Sequence, residues 1–351
     1  MREIEVKLDK PYSVRIGEGL LDAVGETVKS VCPAQKILAV SDSNVAPLYL
    51  DCVLRSLAES GFQAYPYIFD AGERSKTSAT YLGIIDCLGE HSFKRTDAVV
   101  ALGGGVVGDI AGFAAATYMR GIDVVQIPTT LLAMIDSSIG GKTGVDLPYG
   151  KNLLGAFHQP KAVICDIHTL KTLPRSEWRN GIGEGVKYAC LAGGAIADIL
   201  EVGISKSNIA EFIALCAEYK AEVVSNDEKE IGQRKLLNLG HTVGHAIEKQ
   251  SGYSVAHGEA VARGIYAMAT AAKHAGELSA DGFEKIAEWL CKYSFDLTPV
   301  SEDIFGLIVN DKKAEGKDRI SAVTISGIGN CKIKNMSFVG FERYVNCKTD
   351  V

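Results

Sequence analysis

Ala98-Val-Val-Ala-Leu-Gly-Gly-Gly-Val-Val-Gly-Asp109 decides how the first half of the chain is read. Ala98 to Leu102 is a short, unbroken apolar run, the pattern of a strand buried on both faces. Gly103 to Gly108 satisfies G-x-G-x-x-G directly behind it, and a helical pattern continues through Ala116. In that strand–turn–helix setting, glycines let the backbone approach a pyrophosphate. The helix N-terminus adds unpaired N–H groups and the positive end of its dipole.

The pattern repeats on either side. Lys36-Ile-Leu-Ala-Val40, Phe62 to Phe69 and Val124 to Pro128 read as further strands, separated by helical stretches. Such alternation predicts an α/β fold, a doubly wound parallel Rossmann-like sheet with helices on both faces. Ligands of these sheets bind at the carboxyl ends of the strands. The tips after Val40, Phe69, Leu102 and Pro128 are therefore the candidate binding edge. The strand ending at Pro128 runs into Thr129-Thr130 and offers no acid for a ribose, so Asp42 is the better candidate. Glu73 and Lys76 stand at another tip. Gly141-Lys142-Thr143 has the ending of a phosphate-binding P-loop, but Asp136 stands where that pattern requires glycine. An NTPase reading fails there. Lys142 remains a candidate anion ligand on a Gly-rich loop.

After Leu173-Pro174 the texture changes, and from Glu177 to about Leu297 helical patterns dominate. A chain of 351 residues is long for one domain. The expected organisation is a nucleotide-binding α/β domain over 1–176 and a mainly helical domain over 177–351. A short strand-like piece, Ile320 to Ile325, stands near the end.

Composition narrows the function classes. With 47% hydrophobic and 23% charged residues the chain reads as an ordinary globular protein. A formal net charge of −6 argues against a nucleic-acid partner. No apolar run is long enough to span a bilayer, and Met1 to Lys10 lacks the apolar core of a signal peptide. Nine scattered cysteines with no Cys-x-x-Cys pair suit reduced thiols in a cytoplasm.

A second chemical signal lies downstream. Arg234, Asn238, His241 and His245 recur at helical spacing, although Gly240 suggests that the helix itself starts near His241. His-x-x-x-His on a helix sets two imidazoles side by side, a common metal geometry. His257 stands in Ala-His-Gly-Glu, and Glu184 is a carboxylate in a Gly-flanked segment that packing does not require. Two histidines and one carboxylate leave coordination positions open for a substrate. On spacing alone, His245 is either a ligand or a substrate contact. Arg120, Lys142, Lys151, Lys187, Lys220, Arg234, Lys312 and Lys313 fall in or near Gly-rich and polar motifs of this acidic chain. Cations converging on a small site imply a small polyanion carrying phosphate and carboxylate.

Taken together, Gly-Gly-Gly-Val-Val-Gly-Asp (103–109), Ala-Thr-Tyr-Met-Arg-Gly (116–121) and Pro-Thr-Thr-Leu-Leu-Ala-Met-Ile-Asp-Ser-Ser-Ile-Gly-Gly-Lys-Thr (128–143) resemble the 3-dehydroquinate synthase family. So do Gly-Lys-Asn (150–152), Gly-Ala-Phe-His-Gln-Pro (155–160), Leu-Asn-Leu-Gly-His-Thr-Val-Gly-His-Ala-Ile-Glu (237–248), His-Gly-Glu-Ala-Val-Ala (257–262) and Asp-Lys-Lys (311–313). The resemblance runs from about Asp42 to Lys313. It implies NAD against Asp42, Asn44, Glu73, Lys76, Gly104, Gly105, Val106, Asp109, Thr129, Thr130, Lys142, Lys151 and Thr169, Leu170, Lys171 and Thr172. It implies zinc or cobalt on Glu184, His241 and His257, which makes His245 a substrate contact. Asp136, Lys142, Asn152, Lys187, Lys220, Arg234, Asn238, Lys312 and Lys313 would complete a cage around a phosphorylated sugar acid, 3-deoxy-D-arabino-heptulosonate 7-phosphate. The implied phosphate ligands are Lys142, Asn152, Asn238 and His245; those for the carboxylate are Lys220 and Arg234. The implied chemistry is transient oxidation at C5, β-elimination of phosphate, re-reduction, ring opening and an intramolecular aldol closure. Arg120 matches an arginine donated across a homodimer interface. Gly185-Val186 and Ala189-Cys190 depart from the family's usual residues without removing a ligand. Another sugar-phosphate cyclase, a metal-dependent NAD polyol dehydrogenase and a non-catalytic binding protein are the alternative readings.

Overall fold

The structure, a computed structural model, describes residues 1–300, 303–314 and 318–347, side chains 310–314 excepted. The chain divides into two compact units, Met1–Pro174 with Ile209–Lys229, and Arg175–Asn208 with Glu230–Val351.

The first unit is built on a seven-stranded sheet. Its strands are β1 (Arg2–Val6), β2 (Tyr12–Gly17), β3 (Lys36–Asp42), β4 (Gln63–Phe69), β5 (Ala98–Gly103), β6 (Asp123–Pro128) and β9 (Ala162–Asp166), in the order β1-β2-β9-β6-β5-β3-β4. All neighbours run parallel except β1, which pairs antiparallel with β2. Central β5 is buried at every residue, whereas edge strand β4 is only half-buried and carries Pro66, whose missing N–H an edge tolerates. Period-two alternation splits the core into two layers. Ile37, Ala39, Ala98, Val100 and Leu102 pack under α1 (Val24–Val31) and α2 (Asp51–Glu59). Leu38, Val40, Val99 and Ala101 face the other way, toward α3 (Ser78–Glu90) and α4 (Gly105–Thr117). The doubly wound expectation therefore holds, with one antiparallel edge added.

Two features of this unit depart from the sequence reading. Lys142 opens β7 (Lys142–Leu147), which forms an antiparallel hairpin with β8 (Gly150–Phe157). The helix α7 (Ile209–Asn226) also belongs here, packed against β1, β2 and the turn Ala133–Ser137. Residues 209–229, which the expected division at 176/177 places with the helical domain, fall within the first compact unit. The helical pattern was legible, but its destination depends on contacts far away in sequence.

The second unit contains α5 (Arg175–Ala192), α6 (Gly194–Val202), α8 (His241–Gln250), α9 (His257–His274), α10 (Ala280–Lys292), α11 (Ile304–Ala314) and α12 (Phe338–Val345). The antiparallel pair β10 (Arg319–Gly327) and β11 (Asn330–Ser337) completes it. Val243, Ile247, Met268, Ile304, Phe305 and Phe341 form one of its cores. Among the described residues, no helix is long and apolar enough to cross a membrane.

Candidate functional site

In the first unit, Asp42, Asn44, Gly104, Gly105, Val106, Thr129 and Thr130 gather at the carboxyl ends of β3, β5 and β6. Gly104 caps α4 and supplies no side-chain acceptor to the amides of its first turn. Oδ1 of Asp42 accepts from the amides of Asn44 (2.9 Å) and Val45 (3.0 Å), an Asx turn that holds both residues in place. Thr129 donates its amide to the Gly103 carbonyl at 2.9 Å, and Oγ1 of Thr130 accepts from the Ala133 amide at 3.2 Å. Thr169 to Thr172 lie in a 3-10 turn whose start is capped by Asp166; Tyr49 reaches Oγ1 of Thr172 at 2.5 Å.

A charged network links the tips of β4 and α4 to the hairpin. Nζ of Lys76 donates to Oδ2 of Asp109 and to Oδ1 of Asn152, both at 2.6 Å. Lys151 pairs with Glu73 at 3.2 Å, and Oδ1 of Asp146 accepts the Asn152 amide at 2.7 Å. Burial works against the Lys76 ammonium, but Asp109 and Glu73 outweigh it and raise its pKa. Burial pushes the Asp109 carboxyl up, with Lys76 pulling the other way. Asn152, expected on the substrate, is thus tied into the same network as Glu73, Lys76 and Asp109.

The remaining cations of this unit fall in separate settings. Lys220 on α7 bonds both the carboxylate of Asp136 and its carbonyl oxygen, the latter at 2.6 Å. Lys142 is exposed at the start of β7. Arg120 is exposed in a left-handed conformation (φ 69°) beside Met119 (φ 49°), a backbone state uncommon for residues with a Cβ.

In the second unit, close helix packing assembles Glu184, His241 and His257. A Cβ on Gly183 would lie 2.0 Å from the Gly258 carbonyl oxygen, and one on Gly258 would lie 1.8 Å from that of Asn180. Only glycine at both positions lets α5 and α9 approach so closely. Asn180 then accepts the Gly258 amide through Oδ1 at 2.6 Å, capping the first turn of α9. Gly240, at φ 77°, turns the chain into α8 so that His241 is its first residue. The stripe from Arg234 to His245 is therefore not one helix: Arg234 and Asn238 belong to the 3-10 turn Gln233–Asn238.

In the resulting cluster Glu184 is buried and His241 and His257 are part-buried. Oε1 of Glu184 lies 3.5 Å from Nε2 of His241 and 3.1 Å from Nε2 of His257. Lys187, one turn along α5, pairs with Oε2 of Glu184 at 2.6 Å. Nδ1 of His241 donates to the Leu239 carbonyl at 3.1 Å, which leaves a lone pair on Nε2. Burial drives His241 down to about 3, against the pull of Glu184. For His257 burial is outweighed by its bonds to Glu184 and Glu248, and it rises to about 10. One donor atom from each of Glu184, His241 and His257 lies within 4.8 Å of the others. The Nε2 lone pair of His241 faces a carboxylate oxygen across 3.5 Å, and a cation between them satisfies both. The donor set fits a divalent metal of zinc type.

Oγ1 of Thr129, at the carboxyl end of β6, and Oγ of Ser137 are buried and have no hydrogen-bond partner among the described residues. A polar ligand lying against the start of α4 fits such hydroxyls.

Residues 66–180 match the family model described as 3-dehydroquinate synthase N-terminal, and residues 181–314 the one described as 3-dehydroquinate synthase C-terminal. A 3-dehydroquinate synthase of Geobacter metallireducens is 42% identical over 335 residues, which cover 93% of either chain. The chain belongs to the 3-dehydroquinate synthase family.

Two solved structures of synthases resemble this family member along nearly their whole length. One is 2-deoxy-scyllo-inosose synthase complexed with carbaglucose-6-phosphate, NAD+ and Co2+. It has a TM-score of 0.86 and 26% identity over 98% of this chain and 99% of that one. The other is 2-epi-5-epi-valiolone synthase from Streptomyces hygroscopicus subsp. jinggangensis with NAD+ and Zn2+ bound. Its TM-score is 0.86 and its identity 25%, over 95% of this chain and 94% of that one.

In this 3-dehydroquinate synthase family member, some expected site residues stand apart from the metal cluster's first contacts. Asn238 donates through Nδ2 to Oε1 of Glu230 at 2.6 Å, and Arg234 is buried. His245 is exposed one turn along α8, its ring centroid 5.4 Å from that of His241. Lys312 and Lys313 fall in α11, and their side chains lie outside the described residues. Sequence reasoning passed over Ser137, Glu230 and Glu248. Glu248 had a usable signal, since it follows His241 by seven positions and shares its helix face. Glu230 had none, because its left-handed backbone (φ 59°) is not written in any pattern around it.

Proposed function

We propose that the protein is a 3-dehydroquinate synthase, an NAD- and metal-dependent lyase that cyclises 3-deoxy-D-arabino-heptulosonate 7-phosphate with loss of phosphate. The observation that carries this is the Glu184–His241–His257 donor set, with its carboxylate buried, in a chain 42% identical to a 3-dehydroquinate synthase. The 26% and 25% identities to synthases of other cyclitols favour the dehydroquinate product over theirs.

When bound, NAD would accept and return the C5 hydride, and a divalent zinc or cobalt ion would acidify the C5 hydroxyl. NAD would lie on the first unit against Asp42, Asn44, Glu73, Lys76, Gly104, Gly105, Val106, Asp109, Thr129, Thr130, Lys151 and Thr169 to Thr172. On that unit Lys142 and Asn152 would bind phosphate oxygens and Lys220 the carboxylate, with Asp136 orienting Lys220. On the second unit Glu184, His241 and His257 would hold the metal. Asn238 and His245 would bind phosphate there, Arg234 the carboxylate, and Lys187 would hold Glu184 in place.

The departing phosphate gains charge as its C–O bond breaks, and Lys142 would stabilise that charge in place before the bond breaks. Holding both anionic ends fixes the flexible chain of the substrate for elimination and the later ring closure. A homodimer in which Arg120 serves the phosphate site of the second copy completes the proposal. Nine free cysteines support a reducing cytoplasmic setting. The test is phosphate release from the heptulosonate phosphate. It should require both NAD and a divalent metal; release that survives a chelator and removal of NAD contradicts the proposal.

A further inference from the structure

One buried acid lies beside the metal donors without being one of them. Glu248, on the last turn of α8, is 2% exposed. Its Oε2 stands 3.3 Å from Nδ1 of His257. A buried carboxylate of this kind requires a partner that offers a proton. Its backbone is held too: the Glu248 carbonyl accepts from the Tyr253 amide at 2.7 Å and from Oγ of Ser251 at 2.9 Å. The acid is therefore fixed at both backbone and side chain at the point where α8 ends.

The two ring nitrogens of His257 face different carboxylates. Nε2 lies 3.1 Å from Glu184 and Nδ1 lies 3.3 Å from Glu248. Both nitrogens donate to carboxylates here; a metal that took the place of the Nε2 proton would find the tautomer already set, because Nδ1 donates to Glu248 and leaves the lone pair on Nε2.

His245, Glu248 and His257 also bring one donor atom each within 4.8 Å, so a direct metal role for Glu248 is the competing assignment. It requires Nδ1 of His257 as the ligand. The two nitrogens of one imidazole point away from each other, so a single ion cannot use both. Nδ1 ligation also gives up the approach of Nε2 to Glu184. His241, whose Nδ1 is likewise committed to a backbone carbonyl, presents Nε2 to the same carboxylate. The two histidines are thus held in the same manner, one by a main-chain oxygen and one by Glu248.

We infer that Glu248 is a positioning residue: it holds His257 through Nδ1 in the tautomer and ring orientation that aim Nε2 at the metal. This rests on the metal assignment proposed above. Outer carboxylates of this kind raise the basicity of the ligand and restrict its rotation, and their loss lowers metal affinity about 10- to 100-fold.

The experiment measures Co2+ affinity by competition with a chromophoric chelator, alongside the visible spectrum of bound Co2+. The proteins are the full chain and its variants E248M, E248Q, H245A and H241A, with folding checked by circular dichroism. Methionine fills the volume of Glu248 without a strong acceptor, whereas glutamine keeps one. E248M should bind Co2+ about 10- to 100-fold more weakly, E248Q should recover most of that loss with an unchanged spectrum, and H245A should bind as the parent does. A folded E248M with parental affinity overturns the inference, because Glu248 is then only structural. Loss of Co2+ from H245A matching that from E248M overturns it too, because Glu248 is then a ligand beside His245. If E248M does not fold, E248Q decides: a parental spectrum supports positioning and an altered one shows ligation. H241A separates this inference from its premise. Retention of Co2+ by H241A refutes the metal assignment itself, whereas loss there with none in E248M refutes only the role of Glu248.

Discussion

Gly258 and Asn180 meet so closely that a Cβ on the glycine would stand 1.8 Å from the asparagine's carbonyl oxygen. That contact brings the first turn of α9 onto α5, and with it His257 to within 3.1 Å of Glu184. Gly183 and Gly258, which alone allow this backbone proximity, thus determine where two of the proposed metal donors meet.

Gly258→Ala should damage both fold and site. Alanine gains about 1 kcal/mol in helix propensity, but the new methyl meets backbone, which cannot rotate away. Overpacking of this kind costs about 1–3 kcal/mol, so the net effect is destabilising, and metal affinity should fall as α9 is displaced. A variant with parental melting temperature and parental metal content would show that the contact does not position His257.

The two histidines with opposite assignments give a direct comparison. His257→Ala should lose bound metal, while His245→Ala should keep it and lose activity through weaker phosphate binding. Metal analysis of the purified variants checks this. Loss from the His245 variant with retention in the His257 variant reverses the assignment.

Lys76 is the partner that opposes the rise which burial forces on the Asp109 carboxyl. Lys76→Met should cost about 3 kcal/mol, the scale for breaking a buried pair, and weaken NAD binding. The sign of its pH dependence follows from linkage. Without Lys76 the Asp109 carboxyl rises further above its ordinary 3.8, so the folded state binds a proton that the unfolded state releases. Stability should then fall as pH rises from about 3.8 toward that raised folded value. Adding Asp109→Asn should abolish this trend. Urea unfolding across pH checks it; a Lys76→Met protein with no more pH dependence than its double variant contradicts the coupling.

Much of this was legible in sequence because the signals were local. The buried run Ala98–Leu102 with its glycines gave β5 and α4, and Gly240 correctly marked the start of α8 at His241. What escaped depends on partners distant along the chain. The sequence of α7 does not say that it returns to β1 and β2. β1 and β2 were missed because charged residues interrupt them, and β8 is largely exposed. Glu248 went unread because a glutamate near the end of a helix is ordinarily solvated; only the fold buries it against His257.

Arg120 and Lys142 test the proposed homodimer. Each single alanine variant should be nearly inactive alone. After subunit exchange, a heterodimer site on the Arg120→Ala subunit keeps its own Lys142 and receives Arg120 from the second copy, while the other site lacks both. About one site in two should therefore recover, by the symmetry of a two-fold interface. Verified exchange with no return of activity contradicts sharing of Arg120 between subunits.

The central claim is that NAD is used and restored within each turnover. The most direct measurement follows reduced nicotinamide absorbance together with phosphate release, at NAD far below the substrate concentration. Phosphate should be released in many-fold excess over NAD, with no lasting rise in NADH. NADH accumulating in step with product, and turnover stopping when NAD is exhausted, would make the protein a dehydrogenase instead.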